Sequence, residues 1–297
     1  MSSIDPASLG VFMAIARHGS FRRAAIELRV TPSALSHALR ALEERIDLRL
    51  FNRTTRSVSL TEAGQRLFER AEPAFRDIEA AIDDLATFRG APMGTLRINA
   101  AGAAAQLVLM PLIEVFLKQY PAVSVEILAQ GALADIVSQG FDAGVRFGET
   151  LQADMIAVPI GPRQRFVAVA SPGYFERWPK PLLPEDLTRL PCVRFRFDSG
   201  ADYHWEFERG GIELALKVDG PFATNSTELG IDAALRGIGI MFTFEGMVDE
   251  HVRARRLVRV LDDWSPYFPG LYLYYPSRRQ MPSALRAFVD FVKSKPA

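Results

Sequence analysis

A chain of 297 residues, 48% hydrophobic and 24% charged, has room for two or three compact units with separate cores. Its formal net charge is +0, so the molecule as a whole has no electrostatic preference for nucleic acid or an anionic membrane. The lone cysteine, Cys192, excludes an intramolecular disulfide and a cysteine-built metal site.

Along the chain, Asp5-Pro6 reads as a helix start, a side-chain acceptor followed by a residue that needs no N–H. Leu9, Phe12, Met13 and Ala16 then form one apolar face, and Gly19 ends the helix. Ser20 caps a second helix whose buried face is Phe21, Ala24, Ala25 and Leu28. Thr31-Pro32 repeats the cap-and-proline device, and Val30 and Leu35 are spaced as a hydrophobic staple. Leu35, Ala38, Leu39, Leu42 and Ile46 make the third stripe.

The second and third helices are joined by a very short turn. This is a helix-turn-helix arrangement, in which the second helix of the pair enters the major groove by its N-terminal residues. The outward residues there are Thr31, Pro32, Ser33, Ser36, His37 and Arg40, most of them able to hydrogen-bond to bases or phosphates. Leu50, Val58 and Leu60 read as the apolar side of a small hairpin, with Arg53, Thr54, Thr55 and Arg56 at its tip as a basic wing. Residues 21–56 carry eight arginines against four acidic residues, whereas residues 61–90 carry four against seven. A local basic patch in a neutral chain fits a nucleic-acid contact, and it also fits a plain three-helix bundle with a solvated arginine face.

From Thr61 apolar residues recur at alternating threes and fours through Gly64, Leu67, Ala71, Ala74, Ile78, Ala81, Leu85 and Phe88. A continuous helix with such a seam calls for a partner, most simply a second copy of the chain, although packing on its own domain would serve the same residues. Pro73 is expected to kink or interrupt it near Glu72.

After the break at Phe88–Gly94, strand and helix patterns alternate. Leu96 and Ile98 read as strand, Leu107–Tyr120 as helix, Val123–Ile127 as strand, Ala132–Gln139 as helix and Ala143–Phe147 as strand. A second set follows, with strands at 165–171, 191–197, 238–244 and 271–276, a hairpin at 204–220, and helices at Glu228–Arg236 and Ser283–Lys293. The pattern implies two α/β lobes with largely parallel sheets and a cleft between them. Ligands of such sheets bind beyond the strands' carboxyl ends. That selects Ala101, Gly102 and Ala103 after the first strand, with Gly131, Phe147, Gly148, Asn225, Phe242 and Thr243 at later ones.

The stretch from Phe12 to Gly64 resembles the winged helix-turn-helix of the LysR-type transcriptional regulators, without an obvious gap. "GTLRINA", "FDAGVRFG", "VASPGYF" and "LYLYYPSRRQ" resemble that family's effector domain, which has the fold of type 2 periplasmic binding proteins. The resemblance implies a multidomain α+β chain with a DNA-binding domain at 1–60 and a dimerising linker at 61–90. It implies an effector domain at 91–297, with one lobe at about 91–162 and 266–297 and the other at about 163–265. It also implies that Ala24 and Ala25 pack the second helix, that Thr31 to Arg40 read DNA, and that Arg53 to Arg56 form the wing. The chain departs from the family at His37 and Ala38, where arginine and glutamine are frequent. It also departs in the first loop, where alanine and glycine replace serine or threonine.

The expected partners are therefore double-stranded promoter DNA, a small-molecule effector and further copies of the chain, as a homodimer or a homotetramer. No cofactor is expected. His18, His37, His204 and His251 are scattered without metal-ligand spacing, and no acid/base or nucleophile set or phosphate-binding loop is evident, so neither a metal nor a catalytic residue is expected. An enzyme or a cytoplasmic small-molecule-binding protein on the same two-lobed fold is the competing class; a nonspecific architectural DNA-binding protein would not need so large an α/β module. The N-terminus lacks a basic and then apolar leader, and apolar windows such as Leu107–Leu117 are too short to span a bilayer. A cytoplasmic location without a membrane partner is the expectation.

Overall fold

The computed structural model describes residues 5–53, 58–87, 91–129, 136, 139–147, 155–277 and 281–295. They fall into two compact units, Met1–Ile82 and Asp83–Ala297.

In the first unit, helix α1 (Pro6–His18) starts where the Asp5 side chain accepts the Ala7 N–H, and it ends at Gly19 with φ 57°. Ser20 caps α2 (Phe21–Glu27), and Thr31 caps α3 (Pro32–Ile46). Between them the chain turns through Arg29 at φ 54°, a left-handed conformation. Strands β1 (Phe51–Arg53) and β2 (Val58–Leu60) pair antiparallel, with Phe51 opposite Leu60. Phe12, Met13, Ile15, Ala24, Ala25, Leu35, Leu39, Leu42, Leu50 and Phe51 form the core. Two residues expected on the apolar side are exposed. Leu28 is exposed because α2 stops at Glu27, leaving Leu28 as its C-cap. Val30, expected to staple to buried Leu35, is 45% exposed.

Helix α4 (Glu62–Thr87) runs through Pro73 without the interruption expected near Glu72. Proline removes one helical hydrogen bond. The flanking turns are held from the side, because Arg17 Nε on α1 donates to both Glu72 carboxylate oxygens at 3.2 and 3.1 Å. Leu67, Phe68, Ala71 and Phe75 pack on the unit's core. The first half of the linker thus packs on its own unit, the second of the two arrangements its pattern allows, and not on a partner. Ile78 and Ile82, farther along, are 58% and 61% exposed.

The second unit holds two five-stranded sheets. Strand β3 (Gly94–Ala100) leads into one helical run, α5 (Gly102–Ala104), a π turn at Ala105–Leu109 and α6 (Met110–Gln119). By length and composition Gly102–Gln119 could cross a membrane. It is a core helix here, with Val108, Leu109, Ile113 and Phe116 buried against the first sheet. Strands β4 (Val123–Ala129), β5 (Ala143–Phe147) and β6 (Met155–Ile160) follow. The helix expected at Ala132–Gln139 lies almost entirely outside the described residues.

The chain then crosses to the second sheet. This lobe comprises β7 (Phe166–Ala170), α7 (Pro172–Phe175), β8 (Cys192–Phe195), the hairpin β9 (Trp205–Arg209) and β10 (Ile212–Leu216), β11 (Phe222–Thr224), α8 (Thr227–Leu235), β12 (Ile240–Phe244), α9 (Glu245–Arg253) and β13 (Val258–Val260). The chain returns as β14 (Leu271–Pro276) and α10 (Ser283–Lys293). The sheet orders are β4-β3-β5-β14-β6 and β11-β8-β12-β7-β13. In each, β3 or β8 pairs parallel on both sides, and the remaining two pairings are antiparallel. The sheets are therefore mixed where largely parallel ones were expected, because the crossing strands enter each sheet from the opposite end.

Cys192 lies in the second lobe's core. Burial pushes its thiol up to about 12. Thiolate is the reactive form, so Ellman's reagent at pH 8 should label under a tenth of the protein in minutes and react fully once denaturant is added. Rapid labelling of the folded chain would contradict this burial.

Candidate nucleic-acid interface and ligand cleft

Helix α3 has two chemically distinct sides. Leu35, Leu39 and Leu42 face the core, while Thr31, Pro32, Ser33, His37 and Arg40 are exposed and Ser36 is half-buried. Thr31 Oγ1 accepts the Ala34 N–H at 3.3 Å and lies 3.0 Å from Ser33 Oγ. Ser36 donates its hydroxyl proton to the Pro32 carbonyl at 3.0 Å, which leaves its oxygen as an acceptor. The exposed face combines hydroxyls, an imidazole and a guanidinium, the groups that recognise base edges and phosphates.

The hairpin is anchored beside that helix by hydrogen bonds that sequence reading had not identified. Glu43 Oε1 on α3 accepts from the Leu50 and Phe51 N–H groups at 2.8 and 3.3 Å. Thr61 donates its N–H to the Leu50 carbonyl at 2.9 Å and its hydroxyl to the Arg49 carbonyl at 2.7 Å. Arg53 ends β1, while Thr54 and Arg56 lie outside the described residues.

In the second unit the carboxyl end of β5, in one lobe, meets that of β12, in the other. Ala101 caps the first helix without any side-chain bond. Gly102 has open space where a Cβ would stand, and Ala103 is buried. Phe147 stacks on Phe244 with centroids 5.3 Å apart and planes at 13°, one ring from each lobe. The two expected residues on β12, Phe242 and Thr243, lie inside the lobe, with Phe242 stacked on Trp205 at 5.3 Å; the ring at the strand end is Phe244. Asn225 Nδ2 donates to Asp198 Oδ1 at 2.9 Å. Gly131 and Gly148 lie outside the described residues.

Further rings continue this edge. Phe166 lies 4.2 Å from Phe244, 5.7 Å from Phe268 and 5.9 Å from Tyr203. Tyr203 is 6.0 Å from Phe197, which is 5.6 Å from Phe195. The alternating "VRFRF" was the available signal, since a strand with that pattern puts two phenylalanines on one face. Beside them, hydrogen bonds from Arg165 foremost, and also from Tyr267 with Arg259 nearby, hold the Glu245 carboxyl below its ordinary range. Arg194 and Arg196 both pair with Asp202.

The family model for "Bacterial regulatory helix-turn-helix protein, lysR family" matches residues 7–65, and that for "LysR substrate binding domain" matches residues 89–297. The chain belongs to the LysR family. It is 45% identical over 291 residues to YcaN, an HTH-type transcriptional regulator of Escherichia coli, covering 98% of this chain and 95% of the relative. It is 39% identical over 298 residues to PgrR of the same species, covering 100% of both. The full-length structure of AphB, a virulence activator from Vibrio cholerae, superimposes with a TM-score of 0.67 at 25% identity, covering 98% of this chain and 99% of that one. The protein is thus a LysR-type transcriptional regulator with a DNA-binding helix-turn-helix and an effector-binding domain. Like its relatives it is a regulator and not an enzyme.

Proposed function

We propose that this LysR-type regulator reads promoter DNA through Thr31, Pro32, Ser33, Ser36, His37 and Arg40, with Arg53, Thr54 and Arg56 on the wing. The exposed polar face of α3, opposite its buried leucines, carries this reading. The working division is a DNA-binding domain at 1–60, a linker at 61–90 and an effector domain at 91–297. Two copies associate through the second half of the linker, where Ile78 and Ile82 are left uncovered. A cytoplasmic small molecule binds between the lobes, near Ala101–Ala103, Gly131, Phe147–Gly148, Asn225 and the end of β12 at Phe244. By binding one lobe arrangement better than another it shifts the presentation of the DNA-binding heads.

Arg40→Ala tests the recognition face. Losing one base-edge or phosphate contact costs ~1–3 kcal/mol, so affinity for the selected site should fall by about ten- to a hundredfold. A relaxed base preference would identify a base contact, and a salt dependence reduced by about one unit of log–log slope would identify a phosphate contact. The operator itself comes from sequencing sheared genomic DNA retained by the purified protein, with and without metabolite pools. Unchanged affinity, preference and salt slope in Arg40→Ala would remove this helix face from the interface.

A further inference from the structure

The cleft's described wall has an unusual division of chemistry. Side-chain donors are missing from its first loop, where Ala101-Gly102-Ala103-Ala104 offers backbone alone. Its nearby arginines already hold carboxylates, Arg165 and Arg259 sharing Glu245 with Asp262 also on Arg259, and Arg194 and Arg196 sharing Asp202 with Asp219 4.0 Å from Arg194. What the wall presents instead is ring surface. Phe147, Phe244, Phe166 and Tyr203 are only half-buried, and Phe197 is 43% exposed. Apolar area left uncovered at the facing ends of two sheets is area a ligand can cover.

We infer that the effector is a flat aromatic molecule without net charge, held by stacking on this wall, and not a small aliphatic acid. The inference rests on the cleft being the effector site. A small acid must exchange its hydration for an unmatched cation or several aimed donors, whereas the arginines beside this wall already hold carboxylates and its first loop offers backbone alone. A planar ring needs an offset or edge-on partner with centroids roughly 4.5–7 Å apart, the spacing this wall already repeats between its own rings. Because Phe147 and Phe244 come from different lobes, a ligand stacked on either ring touches the contact that joins them. The same binding would thereby be coupled to lobe arrangement.

The test uses the full-length protein with 2-naphthol, followed by its own fluorescence, and succinate, followed by calorimetry. One 2-naphthol per chain should bind. Phe197→Leu, at an exposed position that leaves the core intact, should weaken it by about tenfold through lost stacking and area. Gly102→Trp, placed where a Cβ meets nothing within 4 Å, should abolish it. Succinate should not bind. Succinate binding that Gly102→Trp removes, with no 2-naphthol binding, overturns the aromatic class and leaves the cleft as effector site. Binding of 2-naphthol indifferent to both substitutions places it elsewhere and overturns the inference. If neither probe binds, the inference also fails, and the cleft reading then stands or falls on the genomic selection with metabolite pools.

Discussion

Gly64→Ala should disable the DNA-binding unit, although alanine is the better helix former by ~1 kcal/mol. Gly64 sits in the first turn of α4, and a Cβ there would lie 2.1 Å from the Leu50 carbonyl oxygen and 3.0 Å from its carbon. Neither atom is free to yield. That carbonyl accepts the Thr61 N–H at 2.9 Å, and the Thr61 hydroxyl accepts the Gly64 N–H at 3.0 Å and donates to Arg49. Moving α4 away breaks the junction that aims the wing. Moving the hairpin away breaks the two bonds to Glu43. Overpacking against backbone costs ~1–3 kcal/mol or more, so the net result is a loss of about 2 kcal/mol with a DNA affinity lowered at least tenfold. Gly10→Ala is the matched control. Gly10 also lies within a helix of the same unit, but its Cβ would meet only Phe75 at 3.9 Å. That substitution should be neutral or stabilise by up to ~1 kcal/mol. Thermal denaturation and operator titration of both variants decide the matter: equal behaviour of the two would show that the approach of Leu50 to Gly64 is not a constraint.

The contrast between these glycines shows where sequence reasoning reached its limit. Caps and stripes are local, and Asp5, Ser20 and Thr31 each cap the helix that their own neighbours begin. The helix-turn-helix, the hairpin Trp205–Leu216 and the terminal helix Ser283–Lys293 were legible for the same reason. What distinguishes Gly64 from Gly10 is the arrival of a carbonyl from fourteen residues upstream, which no local pattern announces. Sheet direction was misjudged on similar grounds. Alternating strand and helix patterns suggest parallel crossovers, and nothing in β14 itself says that it enters the first sheet from the other end. At the cleft, the strand ends were found by periodicity, but which residue of "IMFTF" closes β12 depended on register. One ring too early, Phe242, is interior, while Phe244 meets the other lobe.

Arg17→Leu should loosen the same unit by on the order of 3 kcal/mol, near the lower end of the range for breaking a buried ion pair. Glu72 is 7% exposed and Arg17 23%, so the carboxylate pays nearly full desolvation while the guanidinium keeps some water. The pair ties the end of α1 to α4 at the residue before Pro73, where the helix ladder is weakest. Hydrogen exchange reads this directly, since a 3 kcal/mol loss lowers protection by about a hundredfold in the segment that opens. The loss should appear across α1 and α4 and spare the strands of the second unit. Arg17→Leu combined with Glu72→Leu should recover much of it, because replacing both charges with apolar groups removes the desolvation cost together with the attraction. If the double substitution is as damaging as the sum of the two single ones, the ion pair is not what carries α4 past Pro73, and the packing of Phe68, Ala71 and Phe75 must do so alone.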